Sequence, residues 1–155
     1  RGVEKAAGRR GPRVGIHRGG AHLGAGLRRL VCDLVEAEVP LGDIDIAFYR
    51  DDLGSRGPDP NVSDSSLDFR MDDYTVVLVD DVLYTGRTIR AVLNELFDFG
   101  RPGCVRLAVL VDRGGRELPV AADFAATTLA LPHSQSLALA RADDGVFSLQ
   151  GEESR

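Results

Sequence analysis

Two adjacent carboxylates, Asp80 and Asp81, are separated by Val82, Leu83 and Tyr84 from the tetrad Thr85-Gly86-Arg87-Thr88. Carboxylates accept hydrogen bonds from sugar hydroxyls, and their charge favours a sugar ring that turns cationic. A Thr-Gly-Arg-Thr run that opens a helix offers unpaired backbone N–H groups and hydroxyls to an anion. A short stretch thus carries acceptors for hydroxyls and a cradle for a phosphate, and a sugar phosphate is the natural ligand. An ordinary strand-to-helix connection explains the Thr and Asp residues as polar caps. It does not explain two acids in tandem after VVLV, or a glycine flanked by hydroxyl residues.

These residues need a strand and a helix to place them. Thr75 to Val79 reads as a buried central strand, with Asp80 and Asp81 leaving its carboxyl end, where open α/β sheets bind ligands. Ile89, Val92, Leu93, Leu96 and Phe97 follow a helical period, and Gly100 and Pro102 stop it. Arg13 to Ile16 reads as a short strand, and Ala21 to Val39 as a helix with Leu23, Leu27, Leu30 and Leu34 on one side. Ile44, Ile46 and Phe48 alternate with Asp43, Asp45 and Ala47 as a strand. Tyr49 to Asp73 is polar and rich in Gly, Pro, Ser and Asp, which suits a lid, a binding loop or an insertion, with part of it as a hairpin carrying Leu67 and Phe69. Val105 to Val111 and Asp123 to Leu131 read as further strands, and Val146 to Leu149 as a strand closing the sheet edge. Strands alternating with helices predict an α/β fold with a mostly parallel central sheet. One domain over residues 13–150 is expected, between an N-terminal arm at 1–12 and a tail at 151–155.

The composition excludes several classes. A chain of 155 residues with 43% hydrophobic and 28% charged residues is ordinary for one globular domain. No apolar run approaches the roughly 20 residues of a membrane span, and no secretory signal stands at the start, so a cytoplasmic location is expected. Cys32 and Cys104 are far apart, and His17, His22 and His133 lack ligand spacing with them, which argues for free thiols and against zinc. A dinucleotide fingerprint is absent, since Arg29 stands where the third glycine would fall after Gly24 and Gly26, and there is no Gly-Lys-Ser/Thr phosphate loop. The net charge of −5 makes a general nucleic-acid binder a poor fit, although a local basic face would suffice for RNA. Lys5 is the only lysine.

VVLVDDVLYTGRT, residues 76–88, resembles the phosphoribosyl-pyrophosphate (PRPP) motif of type I phosphoribosyltransferases. DIAFYRDDL at 45–53, LAVLVDRGGRELP at 107–119 and GIHRGGA at 15–21 are similar to the family of pyrimidine operon attenuation regulators that double as uracil phosphoribosyltransferases. The likeness runs from about Val14 to Leu149. It implies the type I phosphoribosyltransferase fold, with a flexible loop and a small hood, and a glycosyltransferase that makes UMP and pyrophosphate from uracil and PRPP. It also implies a second partner, the leader RNA of the pyrimidine operon, bound in response to UMP, and a homodimer or larger homo-oligomer. A UMP-responsive RNA-binding attenuator with little or no catalysis is the alternative, and an orotate or purine transferase is a third reading that the flanking segments argue against.

The same resemblance distributes the tasks. Asp80 and Asp81 are the catalytic acids, holding the ribose hydroxyls. Val82, Leu83, Tyr84, Thr85, Gly86, Arg87 and Thr88 form the PRPP loop. His17, Arg18, Gly19 and Gly20 are the pyrophosphate loop, a Gly-Gly variant in which Arg18 supplies the charge. Arg50, Asp51 and Asp52 open the long loop that closes over PRPP, whose distal part departs from the family with Ser63 and Asp64 in place of basic residues. Asp112, Arg113 and Gly114 read uracil and pyrophosphate, with Arg113 reaching a phosphate; Leu118 and Leu137 offer an apolar wall. An Arg116–Glu117 surface pair is the plainer reading of that turn. Mg²⁺ is expected on the pyrophosphate oxygens and through water, with at most Asp80 and Asp81 as protein ligands.

Overall fold

A computed structural model describes residues 13–17, 25–26, 28–29, 32–33, 38–44, 67, 69–132, 134–141 and 147–153. Five parallel strands form the main sheet: β1 (Arg13–His17), β2 (Leu41–Ile44), β3 (Thr75–Leu83), β4 (Cys104–Asp112) and β5 (Phe124–Thr128). Their spatial order is β2-β1-β3-β4-β5. The order reverses between β1 and β3, because β1 leads outward to β2 while β3 leads the other way to β4. Such a switch point opens a crevice at the carboxyl ends of the two strands, the usual ligand site of an open α/β sheet. His17 ends β1 at that crevice, beside the end of β3.

β3 is central, and Val76 to Asp80 are all buried, as an all-apolar run between two covered faces requires. Its partner β4 lies in register, with Leu78 opposite Leu107 and Asp80 opposite Val109. The helix α1 (Arg87–Phe99) packs Ile89, Val92 and Leu96 onto Val76, Leu78, Leu107 and Val109, with Met71 and Ile44 completing this core. Gly100 ends the helix, and a Cβ there would press on Met71. The polar connection before β3 returns to the sheet through Leu67 and Phe69, which pack on the core, and an isolated bridge joins Asp72 to Pro102. Leu67 and Phe69 lie in no strand, so the hairpin expected there is not seen in its described part.

Several boundaries differ from expectation. β3 does not stop at Val79 but runs through both acids to Leu83, because β4 continues to hydrogen-bond it as far as Asp112. The helix expected to reach Val39 has helical residues within 25–33, but 38–40 are not helical. Pro40 disfavours a helical conformation in the residue before it. Arg28 secures this exit, donating to the Val39 carbonyl at 2.6 Å and pairing with Glu38. β2 begins at Leu41 rather than Asp43. The closing strand is β7 (Phe147–Glu153), and it does not extend the main sheet. It pairs antiparallel with β6 (Gln135–Arg141), a strand the sequence pattern did not reveal, and it continues four residues past the strand end expected at Leu149. β6 lies against β3, so this small hairpin sits as a hood beside the main sheet. No helix among the described residues is long and apolar enough to cross a membrane.

Candidate functional site

The site is built on the end of β3. Asp80 is 4% exposed and accepts a hydrogen bond from the Asp81 N–H at 3.0 Å. Burial, with the neighbouring Asp81 charge, pushes its pKa from the usual 3.8 up to about 7. Asp81 is half-buried and accepts from the Val82 N–H at 2.8 Å. The two acids are therefore unlike: one is shielded and easily protonated, the other partly open to water.

The chain then turns through Tyr84, Thr85 and Gly86 into α1. Gly86 is the N-cap, with φ of 91°, a left-handed conformation that a side chain would strain. A Cβ on it would also stand 3.3 Å from the Val120 Cβ. The helix has no side-chain cap and no acid in its first turn. Its positive end is left for an external anion. The Thr85 hydroxyl accepts from the Arg87 N–H at 3.3 Å, which fixes its place at the mouth of the cradle. Thr88 is exposed in the first turn.

The structure sorts the expected loop residues by role. Thr85, Gly86, Arg87 and Thr88 come together at the helix start, as the motif suggested. Leu83 does not face this space. It is a core residue, 1% exposed, because β3 extends that far. Val82 is half-buried in the same strand. Tyr84 lies beneath the next loop rather than free: the Arg113 guanidinium stacks over its ring at 3.8 Å from the centroid. The Arg87 side chain pairs with Glu117 at 2.9 Å.

The turn after β4 is where the structure departs most from expectation. Arg113 does not reach outward to a phosphate. It is 5% exposed, covers Tyr84, and donates to the Pro132 carbonyl at 3.2 Å, while its Nε has no partner among the described residues. An arginine whose plane stacks on an aromatic face is held as a brace. Asp112 spends its carboxylate on Arg116 at 2.5 Å and on the Gly114 N–H at 3.0 Å. The Arg116 hydrogen bond holds its pKa below the usual carboxylate range. Gly114 and Gly115 both have positive φ, 72° and 70°, and the chain folds back on itself there. Gly114 faces open space, but a Cβ on Gly115 would collide with the Tyr84 ring. The expected Arg116–Glu117 pair does not form. Arg116 turns inward to Asp112, and Glu117 crosses to Arg87. Arg116 and Glu117 are the residues that reading the sequence undervalued. The signal was available in the two glycines, which let Asp112 and Arg116 meet across a turn.

Leu118 packs near Gly86, and Leu137 is half-buried on β6 opposite Gly151, in the hood. Of the pyrophosphate loop, the His17 backbone ends β1, while Arg18, Gly19 and Gly20 lie outside the described residues, as do Arg50, Asp51 and Asp52. Cys32 and Cys104 are free thiols, both partly exposed. Cys32 accepts from the Val39 N–H at 3.2 Å. Among the described residues no three His, Cys, Asp or Glu side chains group as a metal site. Two neighbouring acids suit Mg²⁺ that arrives on a phosphate ligand and keeps most of its waters.

Comparison with known proteins agrees with this geometry. The phosphoribosyl transferase domain family matches residues 14–131. The bifunctional protein PyrR of Herpetosiphon aurantiacus is 57% identical over 111 residues, covering 72% of this chain and 62% of that protein. The chain thus spans less than two thirds of that relative's length. The bifunctional protein PyrR of a Roseiflexus species is 50% identical over 135 residues, covering 86% of this chain and 74% of the relative. The hypoxanthine phosphoribosyltransferase of Trypanosoma cruzi shares the fold, with a TM-score of 0.56 at 24% identity over 77% of this chain and 62% of that one. The chain belongs to the phosphoribosyl transferase family, within the group of the bifunctional PyrR proteins.

Proposed function

We propose that this protein is a uracil phosphoribosyltransferase, joining uracil to the ribosyl carbon of PRPP and releasing pyrophosphate. The observation that carries this reading is the placement of an acid pair, Asp80 shielded and Asp81 partly open, and a helix start with no acid in its first turn on one strand end, at the switch point of the sheet. The 5′-phosphate sits on the amides of Thr85 to Thr88 with the Thr85 and Thr88 hydroxyls. Arg87 contributes through its backbone, since its side chain is engaged with Glu117. Asp80 and Asp81 accept from the ribose 2′- and 3′-hydroxyls. As the bond from C1′ to the pyrophosphate oxygen breaks, the ring gains positive charge, and these acids stabilise it. Uracil N1 then bonds to C1′, and its proton passes to solvent. Asp80 and Asp81 would hold Mg²⁺ through water when it arrives with PRPP, and the ion would supply charge neutralisation for the pyrophosphate. Leu118, Leu137 and the Gly114 turn supply the side from which the base enters.

Labelled uracil with PRPP and Mg²⁺ tests the reading. UMP should form, with orotate and hypoxanthine turned over far more slowly. No UMP from any preparation of the full protein would remove it.

A regulatory role is a second reading, supported by relatives described as bifunctional. In it, UMP and pyrimidine leader RNA stabilise the same state, so each raises the affinity for the other. A UMP-dependent shift of leader RNA across a salt series is expected. An RNA affinity that UMP leaves unchanged at low salt contradicts it.

A further inference from the structure

The carbonyls of three consecutive residues before the phosphate cradle are all held by the turn after β4. Arg116 Nη1 donates to the Tyr84 carbonyl at 2.6 Å and to the Leu83 carbonyl at 3.3 Å. The Thr85 carbonyl accepts from the backbone N–H groups of Glu117 and Leu118 at 3.0 and 3.1 Å. The guanidinium is itself locked. Its Nε donates to the Val120 carbonyl at 3.0 Å, Nη1 also reaches the Gly114 carbonyl at 3.2 Å, and Nη2 pairs with Asp112. A planar fork of five N–H groups can serve this many acceptors at once, whereas an ammonium group has only three.

Peptide planarity gives this arrangement a directional consequence. In a trans peptide the C=O and the following N–H point in opposite directions. Drawing the Tyr84 and Thr85 carbonyls toward the turn after β4 therefore sends the N–H groups of Thr85 and Gly86 the other way. That is toward the mouth of the cradle. Val120, whose carbonyl accepts from Arg116 Nε, also packs close to Gly86, where an added Cβ would stand 3.3 Å from the Val120 Cβ.

We propose that Arg116 is a positioning residue for the 5′-phosphate cradle: it orients the peptide planes of 83–86 so that their N–H groups converge on the phosphate. The proposal rests on the placement of that phosphate given under Proposed function. Its role is to align donors before the ligand arrives, without touching the reacting atoms.

The test uses the full chain with Arg116→Lys, Arg116→Met and, as a control, Arg106→Lys, whose partner Asp123 lies at the far end of β4. Three quantities are read: amide exchange at Thr85 and Gly86, affinity for ribose 5-phosphate, and the separate KM for PRPP and kcat of UMP formation. Arg116→Lys should speed exchange at these two amides and weaken ribose 5-phosphate binding by about tenfold. Arg116→Met should weaken it by up to about a hundredfold. The KM for PRPP should rise in step, with kcat at saturation within about twofold of wild type. Arg106→Lys should match wild type in all three. Should Arg116→Met fail to fold, Arg116→Lys keeps charge and length and still decides the matter. Wild-type exchange and affinity in Arg116→Lys overturn the proposal, and so does a fall in kcat with unchanged affinity. Wild-type protein that binds ribose 5-phosphate but makes no UMP overturns the uracil reaction instead, leaving the exchange and affinity results to judge Arg116.

Discussion

Two turns leave neighbouring strands of the same sheet, and both contain Gly, Arg and a hydroxyl or acid, yet they do opposite work. The turn after β3 ends in a helix whose N-cap glycine supplies no side-chain cap and whose first turn holds no acid, with the Arg87 N–H met only by the Thr85 hydroxyl at 3.3 Å. The turn after β4 engages its charges with protein groups: Asp112 with Arg116, Arg113 with Tyr84 and Pro132, Glu117 with Arg87. In the proposed function one turn receives the ligand, and the other holds the first in shape. The difference shows that charged residues at a strand's carboxyl end do not by themselves mark a ligand contact. What matters is whether their hydrogen-bonding groups are already satisfied by the chain.

Breaking the receiving side should have the largest effect. Asp80→Asn and Asp81→Asn together should lower kcat by about a hundred- to a thousandfold or more, since they remove charge aimed at the transition state. Steady-state turnover with PRPP and uracil measures it, and an unchanged kcat would contradict the assignment. Asp80 also predicts a pH dependence. Its folded pKa is near 7 against an ordinary 3.8, so between these values the folded state binds a proton that the unfolded chain has lost. Stability of the ligand-free protein therefore falls as pH rises through that window and levels off above it. The kcat/KM for PRPP should do the reverse, rising toward a plateau above about pH 7 as Asp80 ionises. A pH profile with an acid limb that Asp80→Asn lacks is the expected result.

The glycines sharpen the comparison at smaller magnitude. Gly86→Ala places a Cβ at φ 91° and against Val120, so it should raise the KM for PRPP and cost about 1–2 kcal/mol or more of stability. In the bracing turn, Gly115→Ala should destabilise by about 1–3 kcal/mol, because the added carbon meets the Tyr84 ring. Its neighbour Gly114 has nearly the same φ but faces open space, so Gly114→Ala should cost only about 1–2 kcal/mol for the conformation itself. Paired melts of the two variants separate ring contact from backbone strain. Equal losses would contradict the packing of Tyr84 under the turn.

Much of the scaffold was legible from period and punctuation. The VVLV run, the helical spacing from Ile89 to Phe97 and its stop at Gly100 place β3 and α1. The end of β3 was misplaced because Asp80 and Asp81 interrupt the apolar run, although backbone pairing with β4 continues through them. β6 escaped notice because QSLALAR alternates weakly and gains its strand only from the partner β7. At the site, the acids and the Thr-Gly-Arg-Thr cradle were readable as local chemistry. The inward course of Arg113 and Arg116 was not, since it depends on contacts with Tyr84, Pro132 and Leu83, which are distant in sequence.

A crystal structure with UMP bound tests the central claim most directly. The nucleotide phosphate should lie on the amides of Thr85 to Thr88, with its ribose hydroxyls on Asp80 and Asp81. Density for the pentose phosphate at any other place on the protein, with this strand end empty, would contradict the account.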